Sequence, residues 1–338
     1  LEAHYTRRSL VGSSLGIGVA VLAPTLAAAR QGTPDAAGEA SGWSMTDGRG
    51  TTIELPAVPV NIIAQTISGA SLWDFGIKVK GIYGDALRED GTPDPQTGDM
   101  NLDEVEVLGT WASGIDLEAV IAVDADLFVD VGRSEDGALW SIAPDVEAAL
   151  LEICPTFSIK VWAASTIDSI ARFEELAASL GANLESPEIL AAREAFAANE
   201  LAFKEAIAAK PGLKVVILTG DPTTNAFFVS PAAGGGIGLY ALNLGLNIAE
   251  PTDPDPANLN IFEAASWEEL GKYPADLILY DSRVDPATFA DDPIWSSLPA
   301  VQAGQVGIWH STFPYSWQKF NVVLEEMTAR IASSEVII

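Results

Sequence analysis

Apolar residues recur along this chain in two ways, as short unbroken runs that suit buried strands and as longer stretches spaced three and four apart, as on a helix face. The runs at 61–65, 78–83, 126–131, 156–162, 215–219 and 306–309 predict strands, and 51–55 alternates like a half-buried strand that Pro56 and Pro59 break. Between them, residues 66–75, 116–123, 144–151 and 239–244 predict short helices, and 321–332 a closing one. Ile167, Ile170, Ala171, Phe173, Leu176, Ala177 and Leu180 fall mostly on one face of a helix over 166–180 that Gly181 stops. Pro187 then opens a longer pattern running to Lys210, roughly 35 Å at 1.5 Å per residue, enough to bridge two lobes. Strands alternating with helices imply an α/β class with mostly parallel sheets.

One helix-turn-strand pattern occurs twice. Residues 118–133 (EAVIAVDADLFVDVGR) match 268–283 (EELGKYPADLILYDSR) in register: Glu118 with Glu268, Ala125-Asp126-Leu127 with Ala275-Asp276-Leu277, Arg133 with Arg283. A second echo follows each, Trp140-Ser141-Ile142-Ala143-Pro144 against Trp295-Ser296-Ser297-Leu298-Pro299. The likeness reads either as chance between two helix-strand units or as two similar lobes that offer the same strand end to a shared cleft. In open parallel sheets the ligand crevice lies at the carboxyl ends of the strands, which makes Arg133 and Arg283 candidates, with an ordinary surface arginine as the competing account.

These patterns divide the chain into an export signal over 1–30, a flexible linker over 31–42, an N-terminal lobe over 43–186, an inter-lobe helix over 187–210 and a C-terminal lobe over 211–338. Arg7-Arg8 before an uncharged run to Ala29 resembles a twin-arginine export signal, and an uncleaved membrane anchor is the other reading of the same run. Either places the protein outside the cytoplasm. The formal charge of −29, from 47 acids against 18 bases, disfavours nucleic acid or an anionic membrane as partner and otherwise suits a solvated surface. Cys154 is the sole cysteine and His4 and His310 the only histidines, which argues against a disulfide and against a cysteine or imidazole metal site. The acidic stretch 85–106 lacks calcium-loop spacing and reads as a solvated loop, while the glycines of 234–238 lack the Lys-Ser/Thr of a phosphate loop. No nucleophile elbow, zinc helix or paired catalytic carboxylate points to an enzyme.

Taken in order, the pieces between Trp43 and Ala332 resemble the extracytoplasmic solute-binding proteins of ABC importers for iron-siderophores, cobalamin and haem. The resemblance rests on Asp47-Gly48-Arg49-Gly50 with Pro59-Val60-Asn61-Ile62, Leu117-Glu118 with Asp126-Leu127-Phe128, and Ile142-Ala143-Pro144. In the second half it rests on Ser266-Trp267-Glu268 with Ala275-Asp276-Leu277-Ile278, and on Trp295, Leu298-Pro299-Ala300-Val301 and Gly304-Gln305-Val306. Asn61 and Ala125 depart from the family's arginine and proline. The resemblance implies two α/β lobes, with central mostly parallel sheets flanked by helices, joined by one long helix, with the ligand cleft between them. It implies a monomer without a resident cofactor or metal that captures a ferric siderophore or similar chelate, with haem or cobalamin as the alternative and His310 or a tyrosine as haem ligand. It also implies that Glu118 and Glu268 dock on the importer's permease subunits, although a helix-start carboxylate favoured by the helix dipole accounts for both equally well. By the same resemblance, arginines and aromatic faces hold the ligand. The candidates are Arg133, Tyr83, Trp111 and Trp162 in the first lobe and Arg283, Phe227, Trp309 and Trp317 in the second, with Arg88, Trp140, His310 and Tyr315 behind them.

Overall fold

The computed structural model describes residues 42–338 apart from Glu89, 222–225, 255–261 and Asp285. The export signal and, but for Gly42, the linker lie outside the described residues. Within them, no helix is long and apolar enough to cross a membrane.

Two sheets organise the chain. The first has five parallel strands in the order Glu106–Val107, Gly81–Tyr83, Ile62–Gln65, Leu127–Gly132, Thr156–Lys160. The second follows the order Glu263–Ala265, Ala226–Val229, Lys214–Asp221, Leu277–Asp281, Val306–Trp309, with Asn247–Ile248 also pairing with Lys214–Asp221. It is mixed, because Ala226–Val229 runs antiparallel to both of its neighbours. Ile62–Gln65, Leu127–Gly132 and Leu277–Asp281 are buried at every position, which is why they read as unbroken apolar runs. Helices cover both faces of such strands and remove the polar alternation.

One core cluster is continuous between the sheets, from Ile62, Val129 and Phe157 through Phe203 to Val215, Leu277 and Phe320. The outer face of each sheet has its own cluster, around Phe128 and Cys154 in the first and Tyr280 and Trp295 in the second. The linking helix, Pro187–Ala209, begins with Pro187 in its first turn and the Ser186 side chain as cap. It lies along the closing helix Trp317–Ser333, where the Asn321 side chain donates to the Ala192 carbonyl at 2.9 Å. This closing helix starts before the expected residue 321, because Ser316 caps it and Trp317 and Phe320 already belong to its buried face. The second copy of the repeat also differs from expectation. Its helix is a 3-10 turn, Trp267–Lys272, since Pro274 follows too closely for an α-helix to propagate.

The helix Thr66–Asp74 of the first half meets the start of the closing helix through polar contacts. Ser316 Oγ donates to Asp74 Oδ2 at 2.6 Å, and the Tyr315 amide donates to Ser71 Oγ at 2.8 Å. Burial pushes the Asp74 carboxyl up to about 6, more than the Ser316 hydrogen bond and the Lys319 charge pull it down. A carboxyl raised in the fold holds its proton more tightly there than in the unfolded chain. Its stabilisation is therefore present below the usual carboxylate range and is lost as pH rises through 6. Asp74→Asn keeps an acceptor for Ser316 and removes the buried charge, so its stability relative to wild type should rise by on the order of 2 kcal/mol from pH 4 to pH 7.5. Urea midpoints at the two pH values measure this, and a pH-independent difference would refute it.

Candidate functional site

The site begins where Leu127–Gly132 ends. Asp130, inside that strand, accepts hydrogen bonds from the Ser141 amide at 2.8 Å and the Ser141 hydroxyl at 2.7 Å. These bonds, with Trp140 N to Val131 O at 2.9 Å, fold the segment after Arg133 back against the strand. Burial pushes the Asp130 carboxyl up to about 6 despite these donors and the nearby Arg133. The fold-back sets the Trp140 ring 5.4 Å from the Arg133 guanidinium carbon, within cation–π range. Among the described residues Arg133 has no ion pair or hydrogen bond, and its Nε is buried without a partner.

Arg283 occupies the matching strand end and has a different environment. Its Nε and Nη2 donate to Asp281 at 3.0 and 2.6 Å, and Asp281 also accepts from Thr219 Oγ1 at 2.9 Å and Ser311 Oγ at 3.0 Å. Burial acts to raise the Asp281 carboxyl, but the hydrogen bonds and charge of Arg283 outweigh it and hold the group below the usual carboxylate range. In return the Asp281 hydrogen bond raises the Arg283 pKa. In the register of the repeat, Val131 stands where Asp281 stands, so Arg133 lacks the equivalent carboxylate.

Between the two strand ends lie adjoining cavities of about 220 and 370 Å³ that share Arg133, Trp140, Arg283 and Thr312. Trp162, Trp309, Phe262 and Tyr315 line the smaller one and Trp111, Gln65 and Gln96 the larger. The floor is closed by backbone bonds between the two halves, Ala163 N to Gly234 O at 2.9 Å and Gly236 N to Ala164 O at 2.7 Å. Gly235 has φ +130°, and a Cβ there would lie 2.8 Å from the Val161 carbonyl oxygen. The glycine run thus serves a close backbone approach.

Of the predicted residues, Arg133, Arg283, Trp111, Trp162 and Trp309 come together on these walls, with His310 and Tyr315. Three do not. Tyr83 is buried and meets the cleft only through Trp111, against which it packs edge-on at 5.5 Å. Phe227 points into the outer core beside Phe289, because strand alternation sends its neighbour Phe228 the other way, towards Phe262. Trp317 packs on Phe196, and its Nε1 donates to Glu174 at 2.6 Å. Arg88 is exposed away from the cleft, and the His310 Nε2 is engaged by Glu326 at 2.6 Å. Trp140, ranked behind the others by sequence, is 44% exposed on both cavity walls, whereas its repeat partner Trp295 is 3% exposed in the core. Its position seven residues past a strand-end arginine was the available signal.

Glu118 and Glu268 are exposed, each in the first turn of its short helix. The helix of Glu118, Leu117–Ala122, follows directly on the hairpin Gly109–Thr110 and Gly114–Ile115, whose turn carries Trp111.

Comparisons with known proteins agree with this architecture. Residues 94–312 match the family model described as periplasmic binding protein. No curated protein matches the chain at a significant level. Among solved structures, the chain is 34% identical to DesE, a ferric-siderophore receptor protein from Streptomyces coelicolor, covering 88% of this chain and 100% of that one at a TM-score of 0.81. SirA of Staphylococcus aureus, complexed with staphyloferrin B, shares the fold at 16% identity and a TM-score of 0.61, over 86% of this chain and 99% of that one. The siderophore periplasmic binding protein from the fuscachelin gene cluster of Thermobifida fusca does so at 21% and 0.56, over 82% and 98%. With two α/β lobes, a long linking helix, the family match and the likeness to DesE, the chain belongs to the periplasmic binding proteins, as a two-lobed, helix-linked solute-binding protein of class III and not an enzyme.

Proposed function

We propose that the protein captures a ferric siderophore or a similar iron chelate outside the cytoplasm and delivers it to the permease subunits of an ABC importer. The observation that carries this reading is the unpaired Arg133 guanidinium set against Trp140 in the cleft between the sheets. A chelate presents oxygen acceptors around its iron and an apolar skeleton outside them. A guanidinium stays charged at any working pH and donates to several oxygens in one plane, while indole faces cover the skeleton. DesE, named as a ferric-siderophore receptor, supports the same ligand class for this chain. In the haem alternative His310 would ligate iron, and its engagement by Glu326 weakens that reading.

Ferric chelates absorb light and quench nearby tryptophans. Titrating the purified protein with ferric hydroxamate, catecholate and carboxylate chelates should give saturable loss of tryptophan emission with at least one, from Trp140, Trp162 and Trp309. Emission indifferent to all three, together with a Soret band shifted and sharpened relative to free haem on adding haem, would replace this reading with the haem one.

A further inference from the structure

We infer that Asp281 sets the charge of the ligand: by neutralising Arg283 it leaves Arg133 as the one cleft arginine without a carboxylate bonded to it, and the cleft then selects chelates rich in oxygen acceptors but low in net charge. The inference rests on the proposed reading of the cleft as a chelate site, and it assigns a specificity-determining role to a residue outside that reading.

Among the described residues lining the two cavities, the acids and arginines are Arg133, Asp281 and Arg283, beside His310, whose Nε2 is held by Glu326. The Asp281 side chain is 1% exposed and that of Arg283 is 51% exposed, so the carboxylate lies beneath the guanidinium and away from a ligand. Both carboxylate oxygens are filled. Oδ1 accepts from the Arg283 amide and Nε and from Ser311, and Oδ2 from Arg283 Nη2 and Thr219. Asp94 adds further negative potential at Arg283. The Arg283 Nη1 makes no bond among the described residues. The pair therefore still offers N–H donors to the cleft, although its charges cancel.

The cleft combines donors from two guanidinium groups with at most about one net positive charge, because the buried Asp130 behind Arg133 and Asp94 near Arg283 add negative potential to it. The chain as a whole carries −29, and that field is screened beyond about 10 Å at 0.1 M salt, so compensation at the site decides which charges are accepted. Three singly charged hydroxamates neutralise a ferric ion. Three doubly charged catecholates leave a trianion, which would meet one guanidinium without a bonded carboxylate and the buried carboxylates behind both arginines. Donors suffice for the first ligand and charge is short for the second.

The test uses two probes, the neutral ferric complex of a linear tris-hydroxamate and the trianionic ferric complex of a tris-catecholate, each titrated by tryptophan quenching at low and at physiological salt. Wild type should bind the neutral chelate about tenfold tighter or better. Asp281→Asn frees Arg283 and should raise affinity for the trianion about tenfold, with the gain shrinking as salt rises. Arg283→Gln leaves Asp281 unmatched and moves the charge the other way, so the preference for the neutral chelate should widen; this arm stands even if Asp281→Asn fails to fold. Wild type preferring the trianion, or Asp281→Asn lowering both affinities equally, overturns the inference and leaves the chelate reading intact. Binding of neither probe by wild type overturns the inference, and it overturns the chelate reading too when the ferric carboxylate chelate also leaves tryptophan emission unchanged.

Discussion

Arg133→Ala should weaken ferric-chelate binding by roughly tenfold to a hundredfold, and Arg283→Ala by less than about tenfold. A charge-assisted hydrogen bond contributes about 1.5 to 3 kcal/mol where the donor is not already committed. Arg133 is uncommitted, whereas Arg283 has two of its nitrogens on Asp281. Loss of Arg133 also removes the cation from the Trp140 face, which leaves that ring free to turn out of the cleft. Calorimetric titration of both variants measures the difference. Equal losses would restore the symmetrical clamp that the sequence repeat suggests.

The second large effect concerns the outer surface. Glu118→Arg combined with Glu268→Arg should abolish importer-dependent uptake of labelled iron chelate by cells while the purified protein keeps its ligand affinity. Each exposed ion pair is worth only about 0.2 to 1 kcal/mol, so deleting one carboxylate would have little effect. The family resemblance implies arginines on the permease opposite each glutamate, so reversing both would set like charges against each other at two points and act through repulsion, which costs more than the attraction gained. Normal uptake by this double variant would leave the two carboxylates as helix-start groups only.

The two arginines were legible because the repeat puts both at the end of a buried strand, and strand ends are readable from apolar runs. Their inequality was not. It depends on whether the residue two places earlier is Val131 or Asp281 and on which way that side chain faces, and the second of these needs the hydroxyls of Thr219, from the neighbouring strand, and of Ser311, just past the strand Val306–Trp309. The placement of Trp140 is hidden from the sequence for a similar reason. Its repeat partner is a core residue, and only the Asp130 to Ser141 bonds return the segment to the cleft. Phe227 and Phe228 sit side by side in sequence, and composition cannot choose between faces of a strand. Trp317 lies ahead of the helix that periodicity predicts over 321–332, but inside the observed helix it joins the buried face. The glycines of 234–238 lack a phosphate-loop partner in the sequence, and nothing local shows that they serve an approach of backbone to backbone.

That approach has a kinetic consequence. With 163–164 bonded to 234–236 across the floor, and the linking and closing helices side by side, the walls cannot swing far as a chelate enters. Arrival then needs no preceding closure step, so the observed association rate should rise linearly with chelate concentration and follow a single exponential. Chelates of different fit would arrive at similar rates and differ in how long they stay.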